Sequence, residues 1–381
     1  MPERSIVLQA VGDIALGDHP LCAGFGTHSR CRTEPPGFPF RHVRALFERA
    51  DLLFGNLECT LSEHGLRARD YRSVQMRGHA AYLTGLQAAG FDVLNVANNH
   101  SMQHGAEPFL ETVAMLRGAG VEVCGVAASS VRSAAPAVVE RNGLAVAFLG
   151  YSLRPRQYFT REPLYAEGDR EHILEDVRTA RRASDVVVAS LHWGDEFIDR
   201  PSPREVELAH AVMDAGADLV IGHHPHVLRG IERYGRGYII YSLGNFVCDM
   251  LWDEPLRESA IVQCTLTAEG VSALTVTPIR IADDSCPVPL HGERAAALTR
   301  RLDALSNALG HAATKASARD VEEYSVAADL AHRDERRKAH RYFLRKAHRF
   351  PPGILLQQVV TWARNRLAER GLVKAVPTES R

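Results

Sequence analysis

The sequence predicts an α/β fold in which polar residues gather where strands end. Short apolar runs rich in β-branched residues predict buried strands, and segments with helical spacing separate many of them. The strands predicted in this way are Ile6–Val11, Leu52–Phe54, Phe91–Ala97, Asp185–Ser190 and Leu219–Ile221. Two later runs, Ala260–Thr267 and Val271–Ile281, alternate like an antiparallel pair. Polar residues follow directly after most of the earlier strands, where functional sites collect in α/β sheets.

The segments between strands carry helix and turn signals. Apolar spacing predicts helices over Phe40–Ala50, Ala80–Gly90, Pro108–Gly118, Asp169–Arg182 and Glu205–Ala215. Asn142-Gly143, between two apolar runs, predicts a tight β-hairpin. The segment Gly17–Pro39 is rich in Gly, Pro and His and predicts a long surface loop that acts as a lid over the site.

The composition is that of an ordinary globular protein. The chain has 381 residues, of which 45% are hydrophobic and 24% charged, with a formal net charge of -1. This length suits one large domain plus a smaller one. The near-neutral charge gives no reason to propose a nucleic acid as partner.

The cysteines and the N-terminus favour a cytoplasmic protein. The seven cysteines contain no C-x-x-C pair and are odd in number, so free thiols in a reducing compartment are expected. The first residues lack the apolar core of a signal peptide, and no apolar run approaches membrane-spanning length.

Three histidines follow one of the predicted strands. Gly222-His223-His224-Pro225-His226 comes directly after Leu219–Ile221. On an extended segment, His224 and His226 would lie on one face and converge on a metal ion. The alternative is a loop that is merely rich in histidine.

Other strand ends repeat the pattern. Asp13 follows the first strand, and no helix begins there for it to cap, which favours a ligand. Glu58 lies two residues after Asn56, although a solvated turn would explain that pair equally well. Asn99 offers an amide oxygen as a metal ligand, and His100 beside it is placed to act on a substrate oxygen.

Together these strand ends, including His192, predict a metal centre. Carboxylate, amide and imidazole donors suit one or two divalent ions such as Mn, Fe or Zn. Two ions bridged by a carboxylate would generate a hydroxide nucleophile and polarise a phosphoryl or carbonyl oxygen.

Six stretches carry a resemblance to a known family. They are Gly12-Asp13-Ile14, Asn56-Leu57-Glu58, Ala97-Asn98-Asn99-His100, Leu191-His192-Trp193-Gly194, Gly222-His223-His224-Pro225-His226-Val227 and Tyr241-Ser242-Leu243-Gly244-Asn245-Phe246-Val247. In order and spacing the chain resembles the poly-γ-glutamate capsule-synthesis (CapA-type) family, within the calcineurin-like metallophosphoesterase superfamily. The resemblance implies a four-layer α/β/β/α sandwich with the metal centre at the sheet edge.

The resemblance also implies roles for individual residues. Asp13 and His226 would hold one ion, while Asn99, His192 and His224 would hold the other. Glu58 would bridge the ions, and His100 would protonate a leaving group. The residues implied to line the substrate pocket are Asn56, Arg77, Trp193, Glu196 and Asn245. His223 is expected to pack or to hydrogen-bond rather than to ligate.

Two departures from the superfamily bear on the activity. Ala15 stands where the superfamily has the histidine of its Asp-x-His motif, and Asn56-Leu57-Glu58 replaces its Gly-Asp motif. Both are features of the CapA-type branch itself. Members of that branch are typically tethered to a membrane, whereas this chain is expected to act in the cytoplasm.

Three classes of function stay open at this point. The first is a metal-dependent hydrolase for a glutamyl, peptide-like or phosphorylated substrate. The second is a non-hydrolytic subunit that binds a nascent γ-glutamyl chain for a partner ligase, since the sequence has no P-loop for ATP. The third is a binding protein with a degenerate, metal-free site.

The C-terminal part changes character. We predict a site domain over residues 1–288 and a basic helical extension over residues 289–381. Helices are expected at Gly292–Leu309, Ser317–Ala331 and Ile354–Leu367, with a basic stretch at His332–Arg349. A helical appendage packed on the sandwich is the simplest interpretation, and the alternatives are peripheral membrane contact or self-association.

Overall fold

The computed structural model describes residues 4–156, 158, 161–309 and 317–369. Its strands, in chain order, are β1 (Ile6–Ile14), β2 (Leu52–Leu57), β3 (Thr60–Leu61), β4 (Arg77–Gly78), β5 (Val93–Asn95), β6 (Glu122–Cys124), β7 (Ala137–Arg141), β8 (Leu144–Ser152), β9 (Val186–His192), β10 (Leu219–His223), β11 (Ile231–Tyr234), β12 (Gly237–Ile240), β13 (Asn245–Val247), β14 (Glu258–Thr267), β15 (Gly270–Ile281) and β16 (Pro287–Pro289). Its α-helices are α1 (Thr27–Cys31), α2 (Arg44–Phe47), α3 (Tyr71–Val74), α4 (Tyr82–Ala89), α5 (Ala106–Gly118), α6 (Arg170–Ala183), α7 (Pro203–Asp214), α8 (Gly292–Leu309), α9 (Ala318–Lys346) and α10 (Pro352–Glu369).

Two large mixed sheets face each other across an apolar core. The first has the order β16-β15-β14-β1-β2-β5-β6, with β13 also paired to β1, and the second has the order β11-β12-β10-β9-β8-β7. Phe54 of β2 stacks on Phe148 of β8 with ring centroids 5.6 Å apart. Helices α4 and α5 cover the outer face of the first sheet, and α6 and α7 cover that of the second. This arrangement confirms the predicted four-layer α/β/β/α sandwich.

The strand register aligns the polar strand ends. In the first sheet Asp13 pairs with Asn56 on one side and with Asn245 on the other. Asn56 pairs in turn with Asn95. In the second sheet His192 stands beside His223. Because parallel strands end at the same sheet edge, residues distant in sequence come together there.

Most element predictions are confirmed, and the differences have local causes. Asn142 and Gly143 adopt positive φ at the tight turn between β7 and β8, as Asn-Gly permits. The helix predicted over Phe40–Ala50 is reduced to a 3₁₀ turn followed by α2, because i→i+3 bonds tighten the segment before β2 begins. The short strand β16 has no alternating pattern, and sequence reasoning missed it.

The C-terminal helices pack on the sandwich. The basic stretch predicted to follow a helix instead continues α9 without a break, because no helix breaker occurs before Pro351. Lys338 of α9 pairs with Asp253, with Nζ 2.7 Å from Oδ2. Gln358 of α10 donates to the carbonyl of Pro20. Residues 310–316 and 370–381 of the predicted extension lie outside the described residues, and its boundary stays a prediction.

In the ranges that the structure covers, no helix is both long enough and apolar enough to cross a membrane.

Candidate metal centre

Three predicted ligands converge at the edge between the sheets. One ligand atom from each of Glu58, His224 and His226 lies within 4.8 Å of the others, and all three side chains are buried. Glu58 directly follows β2, whereas both histidines directly follow β10. Such a group of one carboxylate and two imidazoles is a donor set that divalent transition metals accept.

The backbone brings the two histidines together by an unexpected route. His224 has φ 95° and His226 has φ 61°, so both occupy the left-handed region that non-glycine residues rarely adopt. The prediction of an extended segment with both side chains on one face is therefore wrong, although the imidazoles do converge. Strain of this kind persists only where the surrounding structure enforces it, and it concentrates at functional sites.

Buried nitrogen and oxygen atoms without hydrogen-bond partners indicate whether these residues can bind a metal ion. Both ring nitrogens of His224 and Oε1 of Glu58 are buried without a hydrogen-bond partner among the described residues. Buried polar atoms without partners are costly. Burial also lowers the pKa of His224 well below the usual imidazole value, and His192 adds to this effect. A neutral imidazole keeps the lone pair that a metal needs, so the residues present fit a divalent ion.

A second group of predicted ligands adjoins the first through Glu58. Nε2 of His192 lies 2.8 Å from Oδ1 of Asn99 and 3.4 Å from Oε1 of Glu58. Ligands held about 2.1 Å from an ion lie roughly 3 Å from each other, and these separations are of that size. Glu58 therefore lies next to both groups, and its bridging role stays a prediction.

Asp13 accepts more hydrogen bonds from the protein than its predicted role as a metal ligand requires. Its carboxylate accepts hydrogen bonds from Nδ2 of Asn56 (2.8 Å), Nδ1 of His223 (3.0 Å) and the backbone N–H of His224 (3.1 Å). Burial alone would raise the pKa of Asp13, but the hydrogen bond from His223 and nearby imidazoles lower it well below its usual value. Asp13 thus enters the site as a carboxylate, with about one lone pair left for an ion.

Two residues predicted to contact substrate position other residues instead. Oδ1 of Asn245 accepts from Nδ1 of His226 at 2.9 Å, which leaves Nε2 of His226 for the cavity. Oδ1 of Asn56 accepts from Nδ2 of Asn95 while its own Nδ2 holds Asp13. Asn56 and Asn245 are fully buried, so the structure offers neither to a substrate. Hydrogen bonds of this kind orient metal ligands.

A cavity of about 110 Å³ opens beside the ligands. Glu58, His100, Glu196 and His226 line it. Oε1 of Glu196 lies 3.9 Å from Nε2 of His224 and 4.0 Å from Nε2 of His226. Glu196 is thus the predicted substrate residue that the structure brings to the cavity.

His100 faces the same cavity with one nitrogen already committed. Its Nδ1 donates to Oε1 of Gln103 at 2.8 Å, which leaves Nε2 as an acceptor. Burial lowers the pKa of His100 to about 4, so the imidazole is neutral near pH 7. In this state His100 accepts a proton, and it must first take one up before it can protonate a leaving group as predicted.

Trp193 and Arg77 lie away from the metal cavity. Because side chains alternate along β9 and just beyond it, Trp193 faces the outer core opposite to His192. Its indole N–H donates to the carbonyl of Tyr241, so the structure corrects the prediction that Trp193 lines the pocket. Arg77 lines a neighbouring cavity instead, whereas the adjacent Met76 lines the metal cavity.

Several cavity residues escaped sequence reasoning. His19 and Tyr158 line the cavity, and so does Phe197, whose φ of 68° is strained. The ring of His332 in α9 meets Phe197 edge-on, so the C-terminal extension supports this wall. The signal for His19 was present, because it lies in the segment predicted to be a lid. Nothing in the local pattern marks Tyr158 or Phe197.

The predicted lid, Gly17–Pro39, is a folded segment pinned by two buried carboxylates. Asp249 accepts from the backbone N–H groups of His19 (3.0 Å) and Thr27 (3.1 Å). Asp18 accepts from the N–H groups of Gly24 and Ser29. Since His19 lines the metal cavity, this pinning holds one of its walls in place.

This arrangement predicts a pH dependence of stability. Burial raises the pKa of Asp249 to about 7, and the charge of Asp18 adds to the shift. Between about pH 4 and pH 7 the folded protein keeps a proton that the unfolded chain has lost, so stability falls as pH rises through this window. We expect Asp249→Asn to flatten the slope and to raise stability at pH 8 by a few kcal/mol. Thermal unfolding at pH 5 and pH 8 measures both effects.

The control for this prediction is Asp283→Asn. Asp283 is exposed and pairs with Arg257, so its replacement leaves the pH slope of the wild type in place. An Asp249→Asn variant with the same slope as the wild type would show that another group titrates.

Comparison with known proteins now identifies the family. The model of the family described as "Bacterial capsule synthesis protein PGA_cap" matches residues 7–250. The chain belongs to this family. It is 33% identical over 304 residues to "Capsule biosynthesis protein CapA" of Bacillus anthracis, which covers 75% of this chain and 70% of the relative. It is 32% identical over 255 residues to "PGA biosynthesis protein CapA" of Bacillus subtilis, which covers 66% of this chain and 67% of the relative.

Comparison of folds gives more distant similarities. A hypothetical protein from Thermus thermophilus covers 72% of the present chain and 98% of its own chain, with TM-score 0.43 and 15% identity. A 5'-nucleotidase from Candida albicans matches 87% of this chain and 58% of its own, with TM-score 0.41 and 12% identity. The resemblance to the CapA-type family rests on the sequence relatives and is confirmed.

Proposed function

We propose that this protein is a metal-dependent hydrolase that acts on a glutamyl, peptide-like or phosphorylated substrate in poly-γ-glutamate metabolism. The observation that carries the proposal is the convergence of Glu58, His224 and His226, with unpartnered donor atoms, on a cavity that His100 also lines. A structural histidine cluster would have its nitrogens hydrogen-bonded, whereas both nitrogens of His224 lack a partner among the described residues.

Different residues of the site would bind the ions, orient the ligands and accept a proton. Glu58, His224 and His226 would hold one ion, and Asn99 with His192 would hold a second one next to Glu58. Mn, Fe and Zn all suit this donor set, and such an ion supplies Lewis acidity to a phosphoryl or carbonyl oxygen. Asn245 fixes the tautomer of His226, and Asp13 fixes the backbone of His224. Nε2 of His100 is the proton acceptor at the cavity wall.

The experiment that tests the proposal combines metal analysis with two assays. The purified protein, reconstituted with Mn or Zn, is analysed for metal and assayed with an aryl phosphate and with γ-glutamyl peptides. We expect one or two ions per chain together with release of phosphate or cleavage of the γ-glutamyl bond. Absence of metal after reconstitution would contradict the proposal.

A second candidate is a non-hydrolytic subunit that holds a nascent γ-glutamyl chain for a partner ligase. The observation in its favour is that the two Bacillus relatives described above are named for biosynthesis. Bound metal with γ-glutamyl binding but without turnover, by the chain alone, would favour this candidate over the hydrolase.

Replacing His100 by alanine separates proton transfer from metal binding. Because His100 hydrogen-bonds Gln103 and is not one of the three converging ligand residues, we expect His100→Ala to keep its full metal content. Turnover should fall by about a hundredfold to ten-thousandfold, the usual contribution of a positioned acid or base. The measurements are kcat and elemental analysis on the same sample. An unchanged kcat would remove His100 from the chemistry.

A further inference from the structure

A second, larger cavity adjoins the metal cavity. It measures about 470 Å³, within the usual size of a ligand pocket. We call it the Arg77 cavity and define it by Arg77, His28, Arg32, Leu66, Val74 and Ile354. The loop before α3, the folded segment after β1 and the start of α10 enclose it. Arg77 and Met76 are consecutive in the chain and line the two cavities, so one short segment separates them.

The guanidinium of Arg77 is buried with one edge unused. The residue is 5% exposed, and its Nη1 donates to the carbonyls of Ser62 (3.1 Å) and His64 (2.8 Å). Its Nε is buried without a hydrogen-bond partner, and the side-chain hydrogen bonds of Arg77 to described residues come from Nη1 rather than from Nη2. No carboxylate in that part forms a salt bridge with Arg77. The carboxylate of Glu111 acts on Arg77 only from beyond salt-bridge distance, and it already accepts a hydrogen bond from Ser62. A buried cation without a direct ion pair is costly, and the Nε–Nη2 edge can donate to two coplanar oxygens.

The other groups of the cavity limit what fits the fork. The carboxylate of Glu63 lies against Nε2 of His79 at 2.5 Å, and that of Asp18 accepts from Gly24 and Ser29, so both have partners of their own. Arg32 adds a positive charge at the exposed side. Leu66, Val74 and Ile354 add an apolar wall, which an inorganic ion would leave uncovered.

We propose that the Arg77 cavity binds a small carboxylate on a short aliphatic stem. The carboxylate lies on the Nε–Nη2 edge of Arg77, and the stem lies against Leu66, Val74 and Ile354. The bound carboxylate neutralises the positive charge of Arg77, and the bound stem fixes α10 against the sandwich. The inference does not depend on metal chemistry, so it stands or falls separately from the proposed hydrolase activity.

Calorimetric titration with glutarate tests the proposal on the 381-residue chain, before and after removal of metal by a chelator. We expect saturable binding that survives chelation. Arg77→Gln should weaken it by about tenfold to a hundredfold, the value of a charge-assisted pair of hydrogen bonds. Arg77→Lys should restore only part of the affinity, because an ammonium group lacks the fork. Inorganic phosphate, titrated in parallel, should bind more weakly because it leaves the apolar wall uncovered.

Two further variants keep the test decisive. Ala68→Trp fills the cavity from an exposed lining position and leaves Arg77 unchanged. It should abolish binding, so the proposal can be tested even if Arg77→Gln folds poorly. Arg132→Gln changes an exposed arginine that pairs with Asp169 and does not line the Arg77 cavity, so this variant should bind like the wild type. Glutarate binding that disappears on chelation, equal binding by Arg77→Gln, or tighter binding of phosphate than of glutarate would each overturn the proposal.

Discussion

Replacement of His224 by alanine is expected to remove most of the bound divalent metal while leaving the fold intact. Both imidazole nitrogens lack a hydrogen-bond partner among the described residues, so the variant loses donors to the ion but no hydrogen bond. Since replacing even a residue that only orients a ligand costs about tenfold to a hundredfold in metal affinity, we expect a loss above a hundredfold here. Elemental analysis after reconstitution, with circular dichroism on the same sample, measures both properties.

Two variants frame this result. His210→Ala removes a histidine that pairs with Glu232 away from the cavity, and it should keep the full metal content. Asp13→Ala should also lose metal, but with lower stability, because Asn56, His223 and the backbone of His224 lose their acceptor. Full metal content in both His224→Ala and Asp13→Ala would contradict the assignment of the site.

Replacement of Arg229 by methionine is expected to cause the largest loss of stability. The side chain is fully buried, and its Nη1 lies 2.6 Å from Oε1 of Glu205. Its Nε and Nη2 donate to the carbonyls of Ile198 and Asp195, both at 2.9 Å. Because the variant leaves Glu205 buried without its partner, we expect a loss of about 3–5 kcal/mol in the free energy of unfolding, measured in urea.

The same variant should weaken the metal centre. Arg229 holds the segment 195–198, which carries Glu196 and Phe197 to the cavity. A second replacement, Glu205→Leu, should restore much of the stability because it removes the unpaired charge. It should not restore the metal affinity, because the hydrogen bonds from Arg229 to the segment 195–198 are still missing. The matched control is Arg132→Ala, whose exposed pair with Asp169 is worth less than about 1 kcal/mol. A loss no larger than that of the control would contradict the role given to Arg229.

Local patterns were sufficient to predict much of the fold and the type of site. The buried strands, the Asn142-Gly143 turn and the helix Gly292–Leu309 follow from periodicity and turn chemistry, which act over a few residues. The donor residues Asp13, Glu58 and Asn99 could be predicted for a similar reason. Each follows or ends an apolar run, and packing of a buried strand does not by itself call for a polar side chain at that position.

The tertiary structure decided what each polar residue does. Asn245 and Asn56 share the chemistry of a substrate contact, yet both are buried and bind other side chains. Trp193 enters the core because it directly follows β9 and points to the side opposite His192. Arg77 lines a second cavity that α10 helps to close. None of these outcomes has a local signal.

The division between the two sources of information has a physical reason. Periodicity and turn propensity depend on neighbours in the chain, so the sequence by itself determined the α/β class, the strand ends and the kinds of donor found there. Burial, hydrogen-bond partners and strained dihedrals depend on contacts between distant segments, such as Asp13 with His223 and Arg229 with Glu205. Only the tertiary structure could decide that His224 and His226 converge through left-handed backbone, and which nitrogens they leave for a metal.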